Sequence, residues 1–225
     1  MTAIPDELGV FALPSTVLFP NALLPLHIFE PRYKALLEDA VGSGGHLVMA
    51  ILKPGYEADY YGAPELFETA CVGRIVEQQE QPDGNIDIIL RGEAAVRIQG
   101  YVDHDPYRMA RVTPVTDGEL VADPLAPPPG SDLRELLELA CPGCLAVLRE
   151  GWPGDFDREC SVELLHTVAM HLPVSVETRL EWLGCRSAAE RWRRIRAALI
   201  DLAKSRTTQS RVLSRYRDLR PEEMG

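Results

Sequence analysis

The chain has no long hydrophobic run and no excess of positive charge, and each shortage excludes a class of protein. No segment approaches the roughly 18 apolar residues that a membrane helix needs. The acidic N-terminus, residues 1–7, lacks the basic start and apolar centre of a signal peptide. With 34 Asp and Glu against 23 Lys and Arg, the net charge of −11 argues against a general nucleic-acid binder. The composition therefore predicts a globular, cytoplasmic protein without membrane contact.

The cysteines are few, scattered and odd in number, a poor disulfide framework that fits a reducing compartment. Cys141 and Cys144 form a C-x-x-C pair, which can serve thiol redox chemistry or supply half of a zinc site. A thioredoxin-type pair follows a strand and opens a helix, whereas an amphipathic helical pattern precedes this one. No second pair of ligands completes a zinc site. We expect both cysteines to pack in a core, with redox or metal chemistry as the alternative.

Motifs of catalysis and cofactor binding are also missing. The glycines of residues 42–45 are not followed by Lys-Ser or Lys-Thr, so they indicate a turn and not a phosphate loop. His166 and His171 are five residues apart and do not share a helical face, which predicts ordinary surface or half-buried positions. The remaining histidines show no recognisable triad spacing with a serine: His27, His46 and His104. We therefore expect no cofactor, no metal and no catalytic residue.

Proline, in contrast, is abundant, and it marks the segment from Val10 to Asp39. Pro14, Pro20 and Pro25 punctuate short apolar runs, which suits edge strands and strand ends because proline donates no ladder hydrogen bond. Pro31 suits the first turn of a helix. The helical spacing of four apolar residues supports a helix after it: Tyr33, Leu36, Leu37 and Ala40.

Short strands separated by turns follow this helix. Apolar runs predict strands at residues 46–52, 71–77, 86–90, 94–98 and 109–115, with a turn at 82–85 and a break at Gly92. Their spacing favours a small closed or partly closed β-barrel. The loop 53–67 carries Tyr56, Tyr60 and Tyr61, which either anchor a ligand or cover a sheet edge.

The second half of the sequence is helical and begins after a Pro-rich boundary at 123–130. An apolar stripe over 133–148 predicts a helix that kinks or breaks at Pro142. Further helices are predicted at 161–172, from Ser175 to Leu183, and from Ser187 onward, with Arg191 largely opposite the apolar side of the last one. Residues 186–220 hold eleven Lys and Arg against three Asp and Glu. This basic end is either a solvated helix face with a frayed tail or a docking surface for an acidic partner or nucleic acid.

A family resemblance runs through most of the chain. Leu13-Pro14, Phe19-Pro20 and the run 24–33 resemble the start of the N-terminal substrate-recognition domain of the Lon ATP-dependent proteases. The segment 72–75, the turn 82–84 and Arg97-Ile98 match that family in order and spacing, and residues 172–202 are similar more weakly. We expect a structural role for the signature residues: Pro14, Phe19, Pro20, Pro25, Phe29, Glu30, Pro31, Arg32, Tyr33, Gly73, Pro82, Asp83, Gly84 and Gly92.

The resemblance implies an α+β fold. A PUA-like β pseudobarrel with one inserted helix would occupy residues 1–122, followed by a hinge at 123–130, a helical subdomain at 131–204 and a basic tail at 205–225. It also implies a non-catalytic module, because the ATPase and Ser-Lys peptidase modules of Lon proteases have no counterpart in this sequence.

Such a module would bind unfolded polypeptide or protein partners as an accessory to proteolysis, with a protease on another chain as a candidate partner. Binding would use the barrel edge and a groove between barrel and helices. The candidate peptide-binding residues lie in the tyrosine-rich loop: Tyr56, Tyr60, Tyr61, Leu66 and Phe67. An RNA-binding PUA-like module and a hydrolase with a site not visible in sequence are the alternatives, and the oligomeric state stays open.

Overall fold

The computed structural model describes residues 4–115, 130–151 and 162–217. They divide into two compact units. Residues 4–115 with 174–187 form one, which we call the barrel unit, and residues 130–151, 162–173 and 188–217 form the other, the helical unit. The predicted hinge lies outside the described residues except for its last position, and the predicted domain limits stay predictions. Within the described ranges, no helix has the length and apolar character needed to cross a lipid bilayer.

Six strands build the barrel unit, in the order β2-β5-β4-β3-β1-β6 with a further pairing between β5 and β6. That extra pairing closes β5, β4, β3, β1 and β6 into a ring. β2 lies outside the ring and pairs with the first part of β5. β1 and β3 run parallel and the other pairs are antiparallel. The strands are β1 (Glu7–Leu13), β2 (Leu23–Ile28), β3 (His46–Ile51), β4 (Thr69–Glu80), β5 (Ile86–Val102) and β6 (Met109–Pro114). The predicted α+β class, with a barrel-like sheet, is confirmed.

The prediction that Gly92 separates two strands is wrong, because the single strand β5 runs from Ile86 to Val102. The Gly92 N–H donates to the Ala22 carbonyl oxygen at 3.0 Å, and the Gly92 carbonyl accepts from the Asn21 N–H at 2.8 Å. Both backbone groups of Gly92 are thus paired, so the strand continues. A Cβ at position 92 would collide with the carbonyl oxygen of Phe19, which explains why glycine stands there.

The barrel interior is apolar, and one helix covers part of its outer surface. β3 is buried on both faces, as its unbroken apolar run predicts. Helix α1 (Pro31–Gly42) begins at the predicted proline and buries the predicted stripe of Tyr33, Leu36, Leu37 and Ala40 while contacting β1 and β3. The interior cluster consists of Leu8, Val10, Val48, Ala50, Leu52, Leu66, Ala70, Val72, Val96, Ile98, Ala110 and Val112.

A short helix, α5 (Val176–Leu183), belongs to the barrel unit and packs on β4. The Ser175 hydroxyl accepts a hydrogen bond from the Thr178 N–H at 3.2 Å, which caps the helix start. Gly184 ends it, so the predicted limits of this helix are confirmed.

The described part of the helical unit contains α2 (Gly130–Ala140), α3 (Pro142–Gly151), α4 (Val162–His171) and α6 (Ala188–Arg217). The predicted break at Pro142 is confirmed, since Cys141 separates α2 from α3. Helix α6 begins after Ser187 as predicted and continues to Arg217, well into the segment expected to be a frayed tail.

Two charged or polar side chains of the helical unit lie deeper than the sequence predicted. Arg191 is 1% exposed and His166 is 2% exposed. The Arg191 guanidinium approaches Nε2 of His166 at 2.6 Å, with the guanidinium donating. Arg191 precedes Ile195 by four residues and Leu199 by eight, so it continues the apolar stripe of α6, and its charge misled the sequence-based assignment.

The expectation that Cys141 and Cys144 pack in a core is wrong. Both residues are half-buried, and they are joined by a disulfide bond with a Cα–Cα distance of 5.3 Å. Because the helical stripe is interrupted at Pro142, the two side chains meet beside the break and not beneath a continuous helix. Cys71 and Cys185, in contrast, are buried, and the S–H of each donates to a backbone carbonyl oxygen.

Candidate functional site

A cavity of about 400 Å³ opens in the barrel unit between two segments that are distant in sequence. One wall comes from residues 60–64 of the tyrosine-rich loop, and the other comes from residues 101–108, which are the end of β5 and the loop before β6. Val10, Leu52 and Leu66 connect the cavity to the barrel core. The site thus combines aromatic walls with an apolar base.

Arg32 organises the first wall. Its Nε and a terminal nitrogen both lie 2.9 Å from Oε2 of Glu30, and Nη1 donates to the Tyr60 carbonyl oxygen at 3.2 Å. The guanidinium also lies 4.7 Å from the ring centre of Tyr33, 4.9 Å from Tyr60 and 5.8 Å from Tyr61. A planar guanidinium can bind a carboxylate through its edge while it stacks on aromatic rings. Arg32 therefore fixes the tyrosine loop to the start of α1.

Glu30 completes this arrangement by accepting from Tyr60. The Tyr60 hydroxyl donates to Oε1 of Glu30 at 2.8 Å. The pKa of Tyr60 is raised to about 12. Burial is the largest cause, and this hydrogen bond to a carboxylate is the second. Burial also raises the pKa of Tyr33, whose hydroxyl donates to the Ala12 carbonyl oxygen at 3.2 Å. Both phenols stay neutral near pH 7, so this wall offers aromatic surface and no negative charge.

The second wall is held by Arg108 and Tyr107. Arg108 lies 3.9 Å from the ring centre of Tyr101 and donates to the Pro64 carbonyl oxygen at 2.6 Å, which links the two walls. The Tyr107 hydroxyl donates to Asp39 at 2.6 Å, and burial together with this bond raises the pKa of Tyr107 to about 12. These contacts preorganise the cavity, since its wall residues are bound to the scaffold behind them.

The structure brings together three of the five candidate peptide-binding residues, because Tyr60, Tyr61 and Leu66 line the cavity. Tyr56 is half-buried against the barrel core, with its ring 6.1 Å from that of Tyr60. Phe67 is half-buried outside the cavity lining. Binding by this set stays a prediction.

Sequence reasoning missed the wall opposite the tyrosine loop. The segment 101–108 carries Tyr101, Tyr107 and Arg108 and consists of the last two residues of β5 and the loop that leads to β6. Its aromatic residues are a signal of the same kind as the tyrosines from which ligand binding by the tyrosine-rich loop was predicted. However, only the closure of the barrel by β6 places the two segments face to face.

Several signature residues have visible structural contacts. Phe19 is fully buried, and a Cβ at Gly73 would lie 2.6 Å from the Leu90 side chain. Gly84 has a φ of 76°, which suits glycine in the turn after Asp83. Others are solvent-facing: Pro14, Pro25, Phe29 and Pro31.

The three histidines of the barrel unit have ordinary polar partners. Nδ1 of His27 lies 2.7 Å from Asp87, and Nε2 of His46 lies 2.9 Å from Glu93. Nδ1 of His104 lies 3.3 Å from the carbonyl oxygen of Tyr107, and the two rings pack with their centres 4.3 Å apart. Across the described ranges, no three His, Cys, Asp or Glu side chains converge as metal ligands would.

Comparison with known proteins agrees with this architecture. Residues 7–142 match the family model of the ATP-dependent protease La (LON) substrate-binding domain. A curated relative, Lon protease 2 of Myxococcus xanthus, is 31% identical over 114 residues, which are 51% of this chain and 14% of the relative. In the Lon proteases compared with it, the aligned part of this chain spans between 13% and 23% of the relative's length.

Two solved structures share the fold. The Lon N-terminal domain protein from Xanthomonas campestris is 25% identical with a TM-score of 0.57, and the match covers 85% of this chain and 97% of that one. The N-terminal domain of the Mycobacterium avium complex Lon protease is 19% identical with a TM-score of 0.60, covering 88% and 98% of the two chains. The family match extends over more than half of the sequence, so the chain belongs to the Lon substrate-binding domain family.

Proposed function

We propose that this chain is a non-catalytic module that binds unfolded polypeptides or exposed segments of other proteins, and that the cavity between residues 60–64 and 101–108 receives an apolar or aromatic side chain of the bound segment. The observation that carries the proposal is the preorganised pair of aromatic walls above an apolar base. Membership of a substrate-binding domain family supports the same conclusion.

The dimensions and chemistry of the cavity suit a side chain of a polypeptide. A volume of about 400 Å³ falls within the range of ligand pockets, and tyrosine walls supply large contact area at low entropic cost. Tyr61 is 86% exposed, although its side chain is a large aromatic ring. The centre of this ring lies 5.1 Å from that of the Tyr60 ring. A bound segment would cover this ring, which is how aromatic residues act as binding anchors.

The charge around the cavity selects among polypeptides. Asp103 and Asp105 are exposed and belong to the cavity lining. Arg32 already has Glu30 as its counter-ion, so its charge attracts little further anion. Arg108 also lines the cavity and offsets part of this negative charge, so it is the net charge of −11 that favours segments in which basic residues flank an aromatic or aliphatic one.

A second feature of the barrel unit supports binding of extended chain. Among the described strands, β2 has only β5 as its neighbour, and it carries Pro25. An edge strand can accept an added strand through main-chain hydrogen bonds, without regard to the sequence of the added segment. Delivery of the bound segment to a protease on another chain is part of this proposal and follows from the family alone.

The test is fluorescence anisotropy with a labelled, reduced and carboxymethylated protein as the unfolded probe, compared with its native form. We expect preferential binding of the unfolded form, weakened about tenfold or more by Tyr61→Ala and by Tyr101→Ala. Val147→Ala is the matched control, since Val147 is an exposed apolar residue of the helical unit. Absence of binding to the unfolded probe would overturn the proposal.

A different set of variants separates the cavity from the strand edge. Phe29, which directly follows β2, is 62% exposed and lies outside the cavity lining. If Phe29→Ala abolishes binding while both tyrosine variants bind as the parent does, the cavity assignment is wrong.

A further inference from the structure

The Cys141–Cys144 disulfide occupies a break between two helices and is partly exposed to solvent. Both cysteines are half-buried, whereas Cys71 and Cys185 are buried. A cross-link that closes so short a loop removes little entropy from the unfolded chain, so stabilisation alone does not account for it. Its accessibility points to exchange chemistry, because only exposed sulfurs can be reached by another thiol.

Cys141 stands at the N-terminus of α3. Its N–H donates at 2.8 Å to the carbonyl oxygen of Leu137, a residue in the last turn of α2. The carbonyl oxygen of Cys141 accepts from the Leu145 N–H at 3.1 Å. Cys141 is therefore the residue that caps α3, with Pro142 in the first turn. The free N–H groups of a helix start stabilise a nearby anion, so this position favours the thiolate form of Cys141.

Cys144 has a different environment. Its sulfur lies 3.4 Å from the carbonyl oxygen of His171, the last residue of α4. A reduced Cys144 can donate its S–H to that oxygen, whereas a thiolate there would face the negative end of a carbonyl dipole. Reduction thus replaces the covalent bond by a hydrogen bond between α3 and α4. The two sulfurs are chemically unequal, as an attacking and a resolving thiol must be.

A zinc site is the competing use of a C-x-x-C pair. Zinc needs four ligands, and within the described ranges no third or fourth side chain joins these two. The environments of Cys141 and Cys144 differ in the way that redox chemistry requires, while a metal site would treat both thiolates alike.

We propose that Cys141 and Cys144 form a reversible dithiol–disulfide couple that exchanges electrons with dithiols. In the reductive direction, a thiolate of the incoming dithiol attacks Sγ of Cys141, the Cys141–Cys144 bond breaks, and Cys144 leaves as a thiolate that takes up a proton. The second thiol of the reductant then loses its proton and attacks its own mixed-disulfide sulfur, which releases Cys141. Two electrons pass to the protein, and the reductant leaves as a disulfide.

The first experiment measures the equilibrium of this couple in the full chain. The protein is equilibrated anaerobically at pH 7 with mixtures of reduced and oxidised dithiothreitol, quenched with acid, alkylated and digested. We expect the peptide that contains both cysteines to change from carrying no alkyl group to carrying two, in a single two-electron transition. Cys185→Ala should leave the midpoint of this transition unchanged. The proposal is overturned if the native disulfide survives pure reduced dithiothreitol, if the thiols never oxidise, or if either residue pairs with Cys160.

The second experiment tests which sulfur is attacked. Cys144→Ala and Cys141→Ala each leave one thiol of the pair, and circular dichroism confirms that both variants keep their helical content. We expect Cys141 in the first variant to react with iodoacetamide about tenfold faster, or more, than Cys144 in the second. The first variant should also accumulate a mixed disulfide with oxidised glutathione. Equal or reversed reactivities would overturn the assignment of Cys141 as the attacking thiol.

Discussion

The Arg32 guanidinium lies 4.9 Å from the centre of the Tyr60 ring and also donates to the carbonyl oxygen of that residue at 3.2 Å. Glu30 binds both partners, since it accepts from Arg32 at 2.9 Å and from the Tyr60 hydroxyl at 2.8 Å. The segment that starts α1 is therefore tied to a loop that begins some twenty residues later in the chain. The orientation of the tyrosine wall depends on this three-residue network.

Arg32→Lys should destabilise the barrel unit. Lysine cannot bind Glu30 through two nitrogens, reach the Tyr60 carbonyl and stack on the rings at once, so we expect a loss of about 1–2 kcal/mol in the free energy of unfolding. Urea denaturation followed by the near-UV circular dichroism of tyrosine measures it. Arg111→Lys is the matched control, because Arg111 and Glu7 form a surface pair with exposures of 63% and 45% and should contribute less than about 0.5 kcal/mol. Equal effects of the two substitutions would contradict the prediction.

Tyr60 and Tyr107 should ionise late in an alkaline titration. Both have a pKa raised from 10.0 to about 12 by burial and by a hydrogen bond to a carboxylate. A raised pKa means that folding favours the protonated phenol. The stabilisation is therefore fully present below pH 10 and is lost as the pH rises through about 12. Absorbance at the tyrosinate band measures the midpoints.

Substitutions assign this late ionisation. Tyr60→Phe should remove one late-ionising group, and Glu30→Gln should lower the pKa of Tyr60 because it removes the negative charge beside the phenol. Phe29→Leu is the control, since it removes an exposed aromatic ring that carries no phenol. An unchanged late phase in Tyr60→Phe would show that the late groups lie elsewhere.

Gly92→Ala should be strongly destabilising. A Cβ at this position would meet the backbone of Phe19 and Pro20, and backbone atoms cannot move aside as a flexible side chain can. We expect a loss of about 2–3 kcal/mol in the free energy of unfolding, measured by the same urea denaturation. Gly42→Ala, where a Cβ meets no atom within 4 Å, should change stability by less than about 1 kcal/mol. A neutral Gly92→Ala would show that the Phe19 segment can shift.

Glu93→Ala should destabilise the barrel unit through His46. The His46 side chain is 4% exposed, and its Nε2 lies 2.9 Å from Glu93. Loss of the carboxylate removes the hydrogen-bond partner of a buried imidazole nitrogen, which costs about 1–3 kcal/mol. Glu68→Ala is the control, because the Glu68–Arg97 pair is exposed and its carboxylate lies 3.7 Å from Arg97. Similar denaturation midpoints for the two variants would contradict this prediction.

Local sequence patterns predicted several elements because their determinants act within one turn or one strand. Pro31 and the apolar spacing after it predicted α1. Ser175 and Gly184 predicted the limits of α5, and Pro142 predicted the break before α3. The signals at Gly92 and Arg191 were misinterpreted, since each depends on neighbours that are remote in sequence. Gly92 continues a strand because Ala22 and Asn21 bond its backbone.

The sequence by itself determined the family and the α+β order of elements, since proline positions, turn residues and apolar periodicity are local properties of the chain. Only the tertiary structure decided that the tyrosine loop faces residues 101–108 across a cavity, because ring closure by β6 is a long-range pairing. It also decided that Cys141 and Cys144 are bonded and accessible, since the local stripe predicted burial. Long-range pairing and solvent exposure are properties of the assembled fold, which no short window of sequence contains.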